Sequence, residues 1–211
     1  MEIADRAFEG CIHLKEVAIP EGVTRIGDRA FYGCEALSSV EIPISAKRIG
    51  DRTFASCKSL ASVSIPAGVT RIGDRAFEFC ESLAFVVIPE GVTEIGKLAF
   101  FGCHTLASAS ISASVTEIGF EAFAFCRILS SVSISEGVAR IGKWAFEGCP
   151  ALVSVSIPDS VTEIGDDAFR GCENLTVKCS RFSKAWSYCK GHGIRTEPPR
   201  SGFFASLFGR R

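Results

Sequence analysis

The sequence predicts a repeat solenoid, with one short parallel strand and one short helical turn in every 23-residue unit. Three observations predict it. Identical residues recur at a fixed spacing without insertion or deletion, a strand-like alternation returns at the same point of each unit, and one unit is too small to bury its own apolar side chains.

The spacing comes first, because a missed period misassigns the whole fold. Phe8, Phe31, Phe54, Phe77, Phe100, Phe123, Phe146 and Phe169 stand 23 apart. So do Cys11, Cys34, Cys57, Cys80, Cys103, Cys126, Cys149 and Cys172, and so do Leu14, Leu37, Leu60, Leu83, Leu106, Leu129, Leu152 and Leu175. An isoleucine column runs from Ile19 to Ile157, and a glycine column from Gly27 to Gly165.

The unit reads I-G-D-x-A-F-x-G-C-x-x-L-x-x-V-x-I-P-x-x-V-T-x. Its middle, as in Leu60 to Ile65, alternates like a half-buried strand. Pro20, Pro43, Pro66, Pro89 and Pro158 stop that strand, since proline cannot donate to a ladder. Asp74-Arg75-Ala76-Phe77-Glu78 is too short for an independent helix and is expected to form one helical turn on the opposite wall. Stacking buries each column against its neighbours, so stability comes from contacts between adjacent units. Strands roughly 4.8 Å apart turn every column into a line along the solenoid axis, on the order of 40 Å for eight units.

The unit I-G-x-x-A-F-x-G-C-x-x-L-x-x-V-x-I-P closely resembles the BspA-type leucine-rich repeat, over about residues 3 to 179. Leu175 through Ile194 resembles that family's C-terminal cap, and the expected organisation is a solenoid at 1–179, a cap at 180–196 and a tail at 197–211. The resemblance implies a right-handed curved solenoid that binds other molecules, often as a cell-surface protein or adhesin, and it carries over no catalytic residue.

Composition narrows the functions. A net charge of −1, from 23 basic and 24 acidic residues, gives no electrostatic reason to expect nucleic acid. No run of apolar residues is long enough for an integral membrane segment. Met1 to Asp5 shows neither the basic nor the apolar region of a signal peptide, and the chain begins partway through a repeat, as a trimmed sequence would. Stacked reduced thiols suit a reducing compartment, whereas the resemblance implies a cell surface, so the compartment stays open.

Eight of the ten cysteines have the period of the fold and read as buried filler behaving as small hydrophobes. No zinc-like spacing appears, and neither metal nor cofactor is expected. Cys179 and Cys189 stand outside the ladder and are the one pair that a cap disulfide could join. His13 and His104 lie four repeats apart, roughly 19 Å, with no nucleophile and orienting carboxylate beside them. The chain is therefore read as non-catalytic. Within units, Arg25 with Asp28, Arg48 with Asp51, Arg71 with Asp74 and Glu94 with Lys97 are expected to oppose one another on a solvated, charge-balanced wall.

In such a stack the consensus is scaffold, and function belongs to exposed departures from it. Two candidate partner-binding surfaces follow. On the strand face, Ser39, Ser62, Phe85, Ser108, Ser131 and Ser154 form one outward column. Val87, Ser110, Ser133 and Ser156 belong to a second. Phe85 and Val87 are the large apolar members of a small, hydroxyl-rich face. On the opposite wall, Phe79 and Phe125 replace the common glycine, and Leu98, Phe101, Phe120 and Trp144 replace polar or small residues. These six are expected to form one exposed interaction patch. Phe203, Phe204, Leu207 and Phe208 of the tail could share one face of a short helix. The function read from these features is a protein-binding scaffold, with self-association included. A carbohydrate-binding surface module using Trp144 and the hydroxyls, the structural arm of a larger protein, and a thiol-based role are the alternatives.

Overall fold

The structure is a computed structural model and describes residues 1–199. The tail residues Phe203, Phe204, Leu207 and Phe208 lie outside the described residues. The chain winds as a parallel-strand solenoid of about nine coils, eight from the repeats and one from the cap.

Two ladders run along it. The short ladder joins eight two-residue strands, from Glu2–Ile3 and Arg25–Ile26 to Glu163–Ile164, in parallel register with Ile upon Ile. The long ladder forms two blocks. Glu16–Ala18, Ser39–Glu41 and Ser62–Ser64 make the first. Phe85–Ile88, Ser108–Ile111, Ser131–Ile134, Ser154–Ser156, Thr176–Lys178 and Arg195–Glu197 make the second. No strand pairing joins the two blocks, although the short ladder continues unbroken past that seam through Arg71–Ile72 and Glu94–Ile95.

The wall opposite the long ladder corrects one expectation. The segments after each Ile-Gly are turns, and the only α-helix among the described residues is α1, Lys184–Gly191, in the cap. The reason lies in two left-handed residues per coil: Arg75 at φ 58° and Phe79 at φ 56°, with equivalents such as Arg52, Leu98, Phe125 and Trp144. A helix cannot continue through such residues. They turn alternate N–H groups along the stack. Arg75 donates to the Lys97 carbonyl at 2.7 Å, Phe77 to Ala99 at 2.8 Å and Phe79 to Phe101 at 2.8 Å. The intervening Ala76, Glu78 and Cys80 donate three residues back within the coil. Main-chain donors are thus satisfied between coils where a helix would satisfy them within one.

The core sits between the walls. Phe31 through Phe146 are fully buried, and the eight column phenylalanines stack with centroids 5.1–5.4 Å apart and planes within 3–13°. Burying one such side chain contributes about 2–3 kcal/mol, and each ring pair about 0.5–1.5 kcal/mol more. The cysteines from Cys34 to Cys172 are buried beside them, and each thiol donates to a phenylalanine carbonyl of the preceding coil, as Cys80 does to Phe54 at 3.2 Å. Filling space is therefore half of their role; the other half is a weak donor for a buried acceptor. Ser183 caps α1 by accepting from the Trp186 N–H at 3.1 Å. Tyr188 then meets Phe169 edge-on at 6.2 Å and closes the ring column.

Candidate functional site

The strand face presents the predicted columns to solvent, because alternate residues of a half-buried strand point outward. Ser39, Ser62, Ser110, Ser131, Ser133 and Ser156 are exposed, and Ser108 and Ser154 are half-buried. Phe85 is 50% and Val87 56% exposed, while the alternating Val86 and Ile88 belong to the core. The two apolar residues stand at the seam, on the first strand of the second block. Together with Ser39, Glu41, Ser62 and Ser64 of the first block they line a groove of about 490 Å³. One side of this groove is hydroxyl and carboxylate, the other aromatic and aliphatic. The sequence singled out Phe85, Val87, Ser39 and Ser62. Ser64 and Glu41 belong to the same outward second column as Val87 but were not among the candidate site residues.

Five of the six residues of the opposite wall are brought together as two clusters, with Leu98 in neither. Phe79, Phe101 and Phe125 meet edge to face, with centroids 5.5 Å and 5.3 Å apart. Phe120 meets Trp144 in the same way at 5.3 Å, and the Lys143 ammonium lies 4.2 Å from the Trp144 ring. Phe79 and Phe125 are exposed, whereas Leu98, Phe101, Phe120 and Trp144 are half-buried. The glycine before the cysteine of the following coil explains how Phe79 and Phe125 fit. An ideal Cβ on Gly102 would fall 2.6 Å from the Phe79 ring, and one on Gly148 2.7 Å from the Phe125 ring. Each aromatic therefore lies over the missing side chain of the following coil.

Between the walls runs a charged surface whose pairing crosses coils more than the sequence suggested. Arg48 with Asp51 at 3.4 Å and Arg71 with Asp74 at 3.5 Å pair within their coils as expected. Arg25 instead reaches Asp5 of the preceding coil at 2.6 Å and Glu2 at 3.4 Å, and Glu94 is taken by Arg71 at 3.3 Å. The aspartates have a second task that sequence reasoning missed. Asp5, Asp28, Asp51 and Asp74 each accept the backbone N–H of the same position one coil on, at 2.9–3.0 Å. The Asp5 carboxyl is held below its usual range by that N–H and by the Arg25 guanidinium.

All ten cysteines are free, Cys179 and Cys189 included. Burial pushes the Cys34 thiol up to about 11 and the Cys103 thiol to about 12, so neither is a thiolate near neutral pH. Among the described residues no group of three His, Cys, Asp or Glu could hold a metal ion, and no helix is long and apolar enough to cross a membrane.

Known proteins place this geometry. The family model for the BspA type leucine-rich repeat region, in six copies, matches residues 1–107 and 99–180. A leucine-rich repeat protein of T. pallidum superposes with a TM-score of 0.75 at 31% identity, covering 94% of this chain and 90% of its own. A leucine-rich repeat protein from Bacteroides ovatus superposes with a TM-score of 0.56 at 30% identity, covering 83% of this chain and 58% of its own. Among curated protein sequences, none matches.

Proposed function

The chain belongs to the BspA-type leucine-rich repeat family, and from that premise we propose that it is a non-catalytic binding scaffold whose strand face engages a protein partner around Phe85 and Val87. The observation that carries this reading is the exposure of two large apolar side chains, Phe85 and Val87, on an otherwise small, hydroxyl-rich face beside a groove of about 490 Å³. Apolar residues at the centre of a contact, ringed by polar groups, are where binding free energy concentrates. The serine columns and Glu41 supply the polar rim.

The test is site-specific photo-crosslinking from Ser62, Ser131 and, on the far wall, Lys143. The reading expects partner adducts from Ser62 and Ser131, their loss in Phe85→Ala, and an unchanged melting temperature. Adducts from Lys143 alone, or capture indifferent to Phe85→Ala, would refute it.

A second contact surface is supported by Phe79 and Phe125, which are 37% and 41% exposed. Self-association is the event assigned to that wall, and sedimentation of Phe79→Ser/Phe125→Ser against the parent checks it. An adhesin-type setting at a cell surface goes with the family; protease shaving of intact cells tests that. For the carbohydrate alternative, Trp144 offers a ring already approached by Phe120 and Lys143, so a stacked sugar would have to displace the lysine.

A further inference from the structure

The C-terminal end holds a cavity of about 330 Å³, distant in sequence from both surfaces above and lined by residues of the last repeat and the cap. Volumes of this size suit small ligands. The repeat itself shows why the cavity is unfinished. In every coil from Gly10 to Gly148, the left-handed residue before the cysteine donates its N–H to a carbonyl of the following coil, at 2.7–2.9 Å. Gly171, at φ 77°, is the next member of that row, and among the described residues its N–H meets no acceptor. Over the neighbouring groups the cap lays Tyr188, which meets the Phe169 ring edge-on at 6.2 Å and is itself stacked by His192 at 4.0 Å. Gly171 is exposed on the cavity wall, at the positive end of a row of aligned N–H···O bonds.

Charge around the cavity is also unresolved. Asp167 and Glu173 line it, as do Arg170 and Arg195, yet no ion pair joins either carboxylate to either guanidinium among the described residues. Arg170 leans to Glu147 at 3.7 Å, and Arg195 is fixed by the Asn174 carbonyl at 3.2 Å. Charges of both signs that line one cavity, three of them exposed, and do not pair with one another suit a ligand carrying both signs itself. A simple anion would face two carboxylates, and a simple cation two guanidiniums.

We propose that this cavity binds a zwitterionic α-amino acid, its carboxylate on the Gly171 N–H and the Arg195 guanidinium, its ammonium on Asp167 and Glu173. Phe169, Leu175 and Ile194 give a small apolar side chain its floor. Neither half of the ligand is sufficient alone, because each half leaves two lining charges of the opposite character unmatched.

The experiment is a titration of the full ¹⁵N-labelled chain with L-alanine, followed at the Gly171 amide, with acetate and methylammonium as the two half-ligands. Alanine should produce a saturable shift, and each half-ligand should bind at least about tenfold more weakly. Arg195→Gln and Asp167→Asn should each weaken alanine by about tenfold or more. The second substitution keeps a side chain that tolerates the left-handed backbone at this site, φ 54°. Unchanged amide shifts in α1 show that the cap of each variant is folded. No saturable shift at Gly171, or an acetate response equal to that of alanine, overturns the proposal.

Discussion

Gly102→Ala isolates how the aromatic wall is built. Two costs combine at this position. Gly102 sits at φ 68°, and placing a Cβ on a left-handed residue costs about 1–2 kcal/mol. The new Cβ would also lie 2.6 Å and 2.7 Å from two atoms of the Phe79 ring, closer than any real contact, so the ring must swing away. That movement gives up its edge contact with Phe101, about 0.5–1.5 kcal/mol. The expected loss is therefore about 1.5–3.5 kcal/mol. Gly33 supplies the control. It has the same left-handed backbone at φ 71°, but an added Cβ there meets nothing nearer than 3.9 Å. Gly33→Ala should carry the backbone cost alone. Urea unfolding of both variants, in the parent and in a Phe79→Gly background, gives a double-mutant cycle. Gly102→Ala should be the more damaging in the parent and should fall to the Gly33→Ala value once Phe79 is gone. Equal losses at the two glycines, or additivity in the cycle, would refute the account of Phe79 lying over Gly102.

Other outcomes follow from the same contacts. Asp51→Ala should destabilise by about 1–3 kcal/mol, because the Asp74 N–H loses its acceptor at 3.0 Å, while Asp51→Asn should lose less than about 1 kcal/mol; denaturant melts distinguish them. A thiol-reactive dye on the native protein should label the exposed Cys11 and, after unfolding, all ten cysteines; rapid native labelling of a ladder cysteine would refute their burial. Stability should fall with rising pH above about 8.5, where unfolded thiols ionise but the native Cys34 and Cys172, both raised to about 11 by burial, stay protonated. Between the two values each such thiol costs up to about 1.4 kcal/mol per pH unit, and melting temperatures from pH 7 to 10.5 measure it. Tyr188→Ala should loosen the cap, seen as faster hydrogen exchange in α1, because the ring column loses its closing edge contact with Phe169 at 6.2 Å, about 0.5–1.5 kcal/mol.

What the sequence made legible was whatever repeats in side-chain identity. Columns of Phe, Cys, Leu and Ile are lines of buried atoms because the period has no insertions, and the alternation Leu-x-x-Val-x-Ile gave the long ladder. Backbone conformation was less readable. Glycine at Gly33 or Gly102 hints at a left-handed residue, but Arg52, Leu98 and Trp144 adopt the same conformation with no such hint. An ordinary sequence with helix-forming residues therefore looked like a helical turn. Pairing across coils was invisible for a related reason. Arg25 is three residues from Asp28 in the chain, yet stacking brings Asp5, twenty residues away, to its guanidinium. At the candidate site, Phe85 and Val87 stood out because they differ from serine in their columns. The seam beside them gave no signal, since Ser62–Ser64 and Phe85–Ile88 both read as ordinary strands.

That seam bears on what kind of opening the groove is. The short ladder crosses it intact, and the long ladder does not. The turn wall crosses it as well, with Arg52 donating to Asp74, Phe54 to Ala76 and Ser56 to Glu78, and Ala84 still donates to the Ala61 carbonyl at 3.2 Å. The break is therefore confined to Ser62–Ser64 against Phe85–Ile88, and the groove beside Phe85 is a notch cut into a continuous rod. A side chain entering it would meet walls that the surrounding coils already hold in place.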